Sequence, residues 1–301
     1  MPGASAITAD APGNVDFYAG LLGLRMVKKT VNFDLPDVYH LYFGDEAGNP
    51  GSILTFFEFP GAERGRPGAG VIDRISWRVP SPASLDFWGD RLEAAGVGVE
   101  PGNGWLRFED PEGLGLEIIV RDAPVRLAAG HEGIPAEHAL NGFAGVRALG
   151  AGAGSPSVLT DVLGFTRHDG AFGLEGPGWA STYVYAEAPP EPAVQGAGSV
   201  HHIAWAAQPE DHESWRRRVA EAGLQPTPII DRTYFRSIYF REPSGVLFEI
   251  ATIGPGFGID ELPEHLGEAL KLPERYEPMR AQLERTLVPL VNPRTKTEVG
   301  R

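Results

Sequence analysis

The sequence predicts an α+β fold of four βαβββ units, paired into two domains whose curved mixed sheets surround a cavity. Three observations support this fold. Four amphipathic segments end at a glycine, each follows a short apolar strand, and three units close with a Pro-Gly turn before another apolar strand. A length of 301 residues with 42% apolar content is enough for two ordinary cores, so two domains are expected.

The repeated elements follow one another in the same order in each unit. The helical segments span residues 14–25, 84–96, 157–165 and 213–223, and the strands before them span 5–8, 74–79, 146–149 and 202–205. The closing strands lie in residues 49–57, 110–119 and 242–250, and the counterpart in the third unit, residues 176–185, is degenerate. Pro- and Gly-rich connections separate the units at residues 59–70, 121–141 and 189–198.

These connections place the domain boundaries. We predict a first domain over residues 1–125, a second over 141–254, and a C-terminal tail over 255–301. The tail carries one amphipathic helix, at about residues 274–287, and ends in a polar stretch with no predicted structure.

Composition excludes several functional classes. A net charge of -14 without a Lys/Arg cluster argues against a nucleic-acid partner. The absence of cysteine excludes disulfides, thiolate metal ligands and cysteine nucleophiles. Apolar runs fall short of the roughly 18 to 20 residues needed to span a bilayer, and the first residues lack a signal-peptide layout, so a cytoplasmic protein without membrane partners is expected. A homo-oligomer is left open.

Two adjacent histidines and one glutamate are the strongest candidates for a functional site. His201 and His202 open an apolar strand, and Glu249 lies in a second apolar strand among Leu, Phe and Ile. Imidazole and carboxylate together bind Fe(II), Mn(II) or Zn(II) and leave coordination positions open for substrate. An ionised carboxylate in such surroundings is costly unless a cation or a hydrogen-bond donor compensates it. Packed, structural roles are the alternative interpretation.

The repeat with histidine on the first strand and glutamate on the last resembles the vicinal oxygen chelate superfamily, which includes glyoxalase I, bleomycin-resistance proteins and extradiol dioxygenases. Within it, the chain is similar to hydroquinone-type ring-cleaving dioxygenases, from about Ser5 into the tail. The matching strings are residues 14–18, 24–34, 39–46, 53–57, 200–205 and 231–252. The resemblance implies an Fe(II)-dependent, extradiol-type enzyme, with Mn(II) as the alternative metal, that uses O2 to open the ring of a small aromatic diol.

The resemblance also implies roles for individual residues. His202 and Glu249 would bind the metal, and His201 would act as an acid/base or contact the substrate. Arg232 and Tyr239 would contact the aromatic diol. A fixed cation and a nearby imidazole suit a phenol that must lose its proton, and arginine stays protonated even when partly buried. A salt bridge with Asp231 or another strand acid is the alternative for Arg232, and an ordinary strand aromatic is the alternative for Tyr239.

One departure from the family concerns the first unit. The family has a second His-His pair there, whose second histidine is the third metal ligand, but an ungapped alignment puts Pro2 and Gly3 at those positions. Thr55, at the closing-strand position, offers only a weak neutral oxygen. The chain is therefore expected to supply two strong ligands. A wrongly assigned or cloned start would account for the missing pair, and so would divergence to a weakened or inactive site, unless another group, such as His40, completes it.

Other histidines and the second unit are expected to be structural. His40 lies on a strand of the first domain and is predicted to pack there. Surface positions are predicted for His131, His138, His168, His212 and His265. The second unit has Arg74 and Glu117 where the fourth has His202 and Glu249, and because arginine does not bind metals, an ion pair is expected there.

Three functions remain open from the sequence. The first is a ring-cleaving dioxygenase for a hydroquinone or catechol. The second is a glyoxalase-type lyase or isomerase, which needs a metal but no O2. The third is a non-catalytic protein that binds a small molecule, which would account for Pro2 and Gly3. The string that contains Arg232 and Tyr239 favours the first.

Overall fold

The computed structural model describes residues 3–123, 125–150, 158–176 and 179–294, and within them four βαβββ units follow one another as predicted. The first unit comprises β1 (Gly3–Thr8), α1 (Ala11–Val15, continued by a π-helical segment, Asp16–Leu21), β2 (Arg25–Val31), β3 (Tyr39–Gly44) and β4 (Ile53–Glu58). The second comprises β5 (Val71–Val79), α2 (Pro82–Ala94), β6 (Val99–Gly102), β7 (Trp105–Glu109) and β8 (Gly115–Val120).

The third and fourth units repeat this order, with a shorter second strand in each. The third comprises β9 (Phe143–Leu149), a π-helical turn (Val158–Val162), β10 (Thr166–His168), β11 (Ala171–Gly176) and β12 (Trp179–Ala186). The fourth comprises β13 (Val200–Ala207), a 3-10 turn (Pro209–Asp211), α3 (His212–Glu221), β14 (Ile230–Asp231), β15 (Arg236–Arg241) and β16 (Leu247–Thr252). Ser157, the predicted start of the third helix, lies outside the described residues.

Helix α2 shows how the sequence pattern produces these elements. Ser84, Trp88 and Leu92 recur at a spacing of four, so they share one face of the helix, and all three are buried. A proline in the first turn is compatible with a helix start because its missing N–H would have no partner there. The chain leaves the helix through Gly96, whose φ of 77° is favourable only for glycine.

The strands form two mixed sheets. One has nine strands in the order β14-β15-β16-β13-β1-β4-β3-β2-β17, where β17 is Leu270–Lys271, and the other has eight in the order β10-β11-β12-β9-β5-β8-β7-β6. At the centre of each sheet two first strands meet antiparallel, β1 with β13 and β5 with β9. Each closing strand lies parallel to the first strand of its own unit. The predicted α+β class with mixed sheets is confirmed.

The partners within each sheet differ from the prediction that consecutive units pair. The first unit joins the fourth, and the second joins the third. Two connections explain this, since each carries the chain from one sheet to the other and they run beside each other. Arg64 bridges Ala197, Arg66 bridges Val194, and a Cβ on Gly196 would come 2.3 Å from the oxygen of Glu63. The boundaries 1–125, 141–254 and 255–301 stay a prediction.

The tail returns from the fourth unit to the first. Its strand β17 lies parallel to β2 at the edge of the nine-stranded sheet. The predicted helix at 274–287 is found as a 3-10 segment, Glu274–Met279, followed by α4, Arg280–Thr286. Pro278 lies at the junction, where its missing N–H and its ring disfavour a continuous α-helix. Further 3-10 turns span Phe257–Ile259 and Pro263–His265.

The polar end of the tail, residues 295–301, lies outside the described part of the chain. Among the residues described, no helix has the length and apolar character needed to cross a membrane.

Candidate active-site cavity

A cavity of about 130 Å³ lies on the nine-stranded sheet where the first and fourth units meet. Both units line it, and Gly256 and Phe257 of the tail close one side. Its wall is largely apolar, with the rings of Phe33, Phe57 and Phe235 among the lining side chains. A few polar side chains converge inside, which is the usual composition of a small-molecule site.

His202 and Glu249 reach this cavity from neighbouring strands, as their positions predict. The Nε2 atom of His202 lies 2.9 Å from Oε2 of Glu249, and their side chains are only 4% and 5% exposed. Burial raises the pKa of the Glu249 carboxyl, but the charge of His202 and the nearby Ser237 and Tyr239 hydroxyls outweigh it, so this pKa is lowered overall. The carboxylate is therefore ionised in an apolar surrounding.

This pair fits a divalent metal. Two ligand atoms about 2.1 Å from one metal, at about a right angle, lie about 3 Å apart, which agrees with the 2.9 Å separation of Nε2 and Oε2. The other carboxylate oxygen of Glu249, Oε1, is buried and has no hydrogen-bond partner among the described residues. Such an oxygen is costly without a compensating cation. The role of both residues as metal ligands stays a prediction.

His201 lies beside His202 because β13 bulges at this point, but His201 is exposed and is not among the residues that line the cavity. Ser5 pairs with His202 and Ala6 pairs with Val200, so His201 is an extra residue in a β-bulge of β13. The bulge places Nδ1 of His201 2.8 Å from Nδ1 of His202. Partial burial of the imidazole, followed by the charges of His202 and Arg241, lowers the pKa of His201 to about 4, so this imidazole is neutral at pH 7.

Arg232 and Tyr239 lie together at the cavity. Nε of Arg232 donates to the hydroxyl of Tyr239 at 3.3 Å, and the guanidinium lies 5.4 Å from the centre of the Tyr239 ring. Arg232 pairs with Asp34 of the first unit at 3.4 Å rather than with Asp231. Burial, followed by the charge of Glu249, raises the pKa of Tyr239, so it stays protonated. Their contact with a diol stays a prediction.

The first unit offers no metal ligand at the position equivalent to His202. Gly3 pairs with Ala204 across the sheet as Ser5 pairs with His202, so the register makes Gly3 the counterpart of His202. Thr55 is likewise the counterpart of Glu249, because it pairs with Ser5 as Glu249 pairs with Ala204. Pro2 lies outside the described residues. Among those described, no group of three or more His, Asp or Glu side chains could hold a metal.

His40 lines the cavity but already has partners for both ring nitrogens. Nε2 lies 3.0 Å from Oγ1 of Thr55, and Nδ1 lies 3.0 Å from the hydroxyl of Tyr42. Burial holds the pKa of His40 well below its ordinary value. The predicted packed position is found, and a metal would have to displace one of these hydrogen bonds. Sequence reasoning missed Ser5 and Tyr42, although Ser5 shares the alternation of β1 with Gly3.

The remaining predictions concern the ion pair of Arg74 with Glu117 and five histidines that were expected at the surface. Arg74 pairs with Glu117 at 3.8 Å, as predicted, and Arg107 donates to the same carboxylate at 2.8 Å. His168 and His265 are exposed, and His131 and His138 are half-buried. The surface prediction is wrong for His212, which is 1% exposed. It begins α3, where its Nε2 lies 2.9 Å from the carbonyl oxygen of Ile250 on β16.

Known proteins resemble the chain in sequence and in structure. The profile described as "Glyoxalase/Bleomycin resistance protein/Dioxygenase superfamily" matches residues 4–118 and 157–250. The "Putative ring-cleaving dioxygenase MhqO" of Bacillus subtilis (strain 168) is 42% identical over 303 residues, covering 95% of this chain and 94% of that protein. A "Chlorohydroquinone/hydroquinone 1,2-dioxygenase" of Sphingobium indicum is 35% identical over 301 residues, covering 93% of each chain.

Solved structures agree with these matches. A crystal structure of a "putative dioxygenase" from Bacillus subtilis subsp. subtilis str. 168 has a TM-score of 0.91 and 39% identity, and the match covers 97% of both chains. Glyoxalase I from Zea mays has a TM-score of 0.60 and 14% identity, covering 84% of this chain and 92% of that one. At that identity the likeness to glyoxalase I shows a shared fold alone.

Proposed function

Because the chain belongs to the glyoxalase/bleomycin resistance protein/dioxygenase superfamily, we propose that it is a metal- and O2-dependent ring-cleaving dioxygenase for a hydroquinone- or catechol-type aromatic diol. The observation that carries this proposal is the buried pair of His202 and Glu249 inside a cavity lined by aromatic rings. The names of the relatives at 42% and 35% identity support the reaction class.

The metal would be held by His202 and Glu249. When bound, Fe(II) or Mn(II) would supply a Lewis-acidic, redox-active centre for the diol and O2. If Nε2 of His202 binds the cation, Nδ1 of His202 carries a proton and donates to Nδ1 of His201 across 2.8 Å. Neutral His201 then presents an Nε2–H donor beside the site, which makes it a hydrogen-bonding contact for the substrate.

Arg232 and Tyr239 would orient the diol. The guanidinium of Arg232 is a fixed cation beside the cavity, which favours a phenolate over a phenol. Tyr239 accepts a hydrogen bond from Arg232, so its own O–H would be left to donate to an oxygen of the diol or to Glu249. Because burial near Glu249 raises the pKa of Tyr239, this donor is retained at neutral pH.

A second candidate function is a non-catalytic protein that binds a small aromatic molecule. The observation that favours it is Gly3, which leaves the third ligand position without a side chain. The glyoxalase-type lyase or isomerase has no comparable support, because the likeness to glyoxalase I concerns the fold alone.

One experiment separates these functions. Metal content is measured on protein purified without a tag, and O2 consumption is then followed with hydroquinones and catechols. Ring cleavage predicts bound Fe or Mn and O2 uptake that depends on the diol. A metal-loaded protein that consumes no O2 with any diol contradicts the dioxygenase and supports a lyase or isomerase. Tight binding of a diol by metal-free protein, with no O2 uptake after Fe(II) or Mn(II) is added, supports the non-catalytic alternative.

A further inference from the structure

Four buried polar side chains form a hydrogen-bonded chain in the half of the cavity that the first unit supplies. The hydroxyl of Tyr42 lies 3.0 Å from Nδ1 of His40, and Nε2 of His40 lies 3.0 Å from Oγ1 of Thr55. Thr55 in turn donates to Oγ of Ser5 at 2.8 Å. All four residues are buried, at 7% exposure or less, and all four line the cavity. The proposed metal ligands and diol contacts do not explain this chain.

The hydrogen bonds among these four side chains all run in the same donor-to-acceptor direction. Thr55 gives its single hydroxyl proton to Ser5, so it must accept from His40 at the other end. This makes His40 the Nε2–H tautomer, and its bare Nδ1 accepts from Tyr42. Burial supports the assignment, because it holds the pKa of His40 well below and that of Tyr42 well above their ordinary values, so both groups are neutral. Of the four protons, the one on Ser5 is not used within the chain.

The position of Ser5 directs this unused proton toward the proposed reaction centre. Ser5 on β1 pairs directly with His202 on β13, so their Cβ atoms lie about 5 Å apart. Its side chain occupies the same face of β1 as Gly3, where the first unit lacks a metal ligand. A ligand oxygen that approaches His202 and Glu249 therefore also comes within reach of the Ser5 hydroxyl.

We propose that Ser5 donates a hydrogen bond to the phenolic oxygen of the bound aromatic molecule, and that Thr55, His40 and Tyr42 are positioning residues that fix the direction of this donor. The proposal rests on the proposed function in one respect, that the occupant carries a phenolic oxygen. It names a substrate contact and an orienting relay in the first unit, opposite Arg232 and Tyr239.

A directed donor has a measurable consequence for a bound phenol. An ionised oxygen accepts a stronger hydrogen bond than a neutral one, so the chain favours phenolate over phenol. Loss of one such bond changes the ratio of the two forms by about tenfold. A residue that only fills space in the sheet does not produce this change.

The test uses para-nitrophenol, whose phenolate is yellow, with the protein as purified and at a pH below the ionisation of the free probe. Thr55→Val interrupts the chain and retains the shape, whereas Thr55→Ser retains the hydroxyl. Thr182→Val is the matched control, since Thr182 lies on β12, the closing strand of the third unit, in the other sheet. We expect Thr55→Val to lower the bound phenolate-to-phenol ratio about tenfold, and Thr55→Ser and Thr182→Val to keep it.

Two further variants keep the test decisive if Thr55→Val does not fold. Ser5→Ala removes the donor itself and should give the same loss, and Tyr42→Phe, which frees the direction of His40, should give part of it. A wild-type spectrum in folded Thr55→Val or in Ser5→Ala, with the probe bound, overturns the relay and leaves ring cleavage standing. A wild-type protein that binds neither the probe nor any hydroquinone overturns the relay and the proposed function together.

Discussion

At the scale of single residues, the carboxylate of Glu249 decides whether the cavity holds a cation. One oxygen lies 2.9 Å from His202, and the other is buried with no hydrogen-bond partner among the described residues. The charge of His202 keeps the pKa of Glu249 low in spite of burial, so the group remains an anion. A buried anion with one free oxygen is a metal ligand by its chemistry, or else a cost to the fold.

Glu249→Gln tests this role. The amide keeps the shape of the side chain but removes the charge, so we expect metal affinity to fall by at least the 10- to 100-fold typical of outer-shell partners. Metal content after dialysis against a defined free metal concentration measures it. Glu117→Gln is the matched control, because Glu117 holds the equivalent position in the second unit, beside Arg74. Equal metal content in both variants would exclude Glu249 as a ligand.

Introducing a histidine at position 3 tests whether the lack of a third protein ligand limits metal binding. The double change Pro2→His and Gly3→His puts an imidazole on the cavity face of β1, and a third ligand should raise metal affinity more than tenfold. The new Cβ would come 2.9 Å from the oxygen of Ile53, so β1 has to shift slightly. Titration calorimetry with Mn(II) measures the affinity. An affinity no higher than that of the parent would show that the new imidazole does not bind the metal, and the missing-ligand hypothesis would fail.

At the scale of elements, the sequence predicts features that depend on local patterns but not those that depend on strands distant in sequence. The strands that carry His202 and Glu249 are apolar runs between turn residues, so periodicity was enough to place them. The bulge at His201 leaves no such trace, because it arises from the register between β1 and β13, two strands far apart in sequence. His212 was misplaced for a similar reason, since its partner is a carbonyl on β16.

The turn between β7 and β8 provides a prediction at this scale. Asp110 accepts from the N–H of Leu114 at 2.8 Å and from the hydroxyl of Tyr18 at 2.9 Å, and burial raises its pKa to about 6. The folded protein therefore holds this proton more tightly than the unfolded chain. The stability it contributes is fully present below about pH 4 and is lost as pH rises through about 6.

Asp110→Asn should remove this pH dependence. In the wild type the raised pKa should lower the free energy of unfolding by about 3 kcal/mol between about pH 4 and pH 7. The variant should lack this contribution to the pH dependence of stability. Urea unfolding at several pH values measures the difference between the two proteins. Asp86→Asn serves as the control, because Asp86 is exposed on α2. A constant wild-type minus variant difference across this range would contradict the prediction.

At the scale of the whole molecule, the fold class followed from the sequence but the partners of the units did not. Four similar units predict two sheets of two units, but composition alone does not show whether the first unit joins the second or the fourth. The choice depends on the connections around Gly65 and Gly196, where two backbones approach too closely for a side chain. Pairing the first unit with the fourth brings Ser5 and His202 together, and so the cavity itself depends on a contact between distant parts of the chain.

Lys28 of β2 binds the tail to the first unit through Asp260, Glu261 and Phe257, and this contact provides the last prediction. The ammonium of Lys28 is fully buried, pairs with Asp260 at 2.6 Å and with Glu261, and donates to the carbonyl of Phe257 at 3.0 Å. The Glu261 side chain is only 4% exposed. Lys28→Met would leave that carboxylate buried without its cation, which costs about 3–5 kcal/mol, and should also loosen the Phe257 wall of the cavity.

Denaturant unfolding and diol binding measure the two effects of Lys28→Met together. Lys29→Met on the same strand is the control. Lys29 is half-buried and feels the charge of Glu261, but it forms no direct ion pair with a described carboxylate, so the substitution should cost clearly less stability than Lys28→Met. Adding Glu261→Gln to Lys28→Met removes the stranded charge and should recover most of the lost stability, because the cost lies in the unpaired anion rather than in the missing contact. If the double variant is no more stable than Lys28→Met, packing rather than the ion pair holds the tail against β2, and the cavity wall should then be insensitive to the charge at position 261.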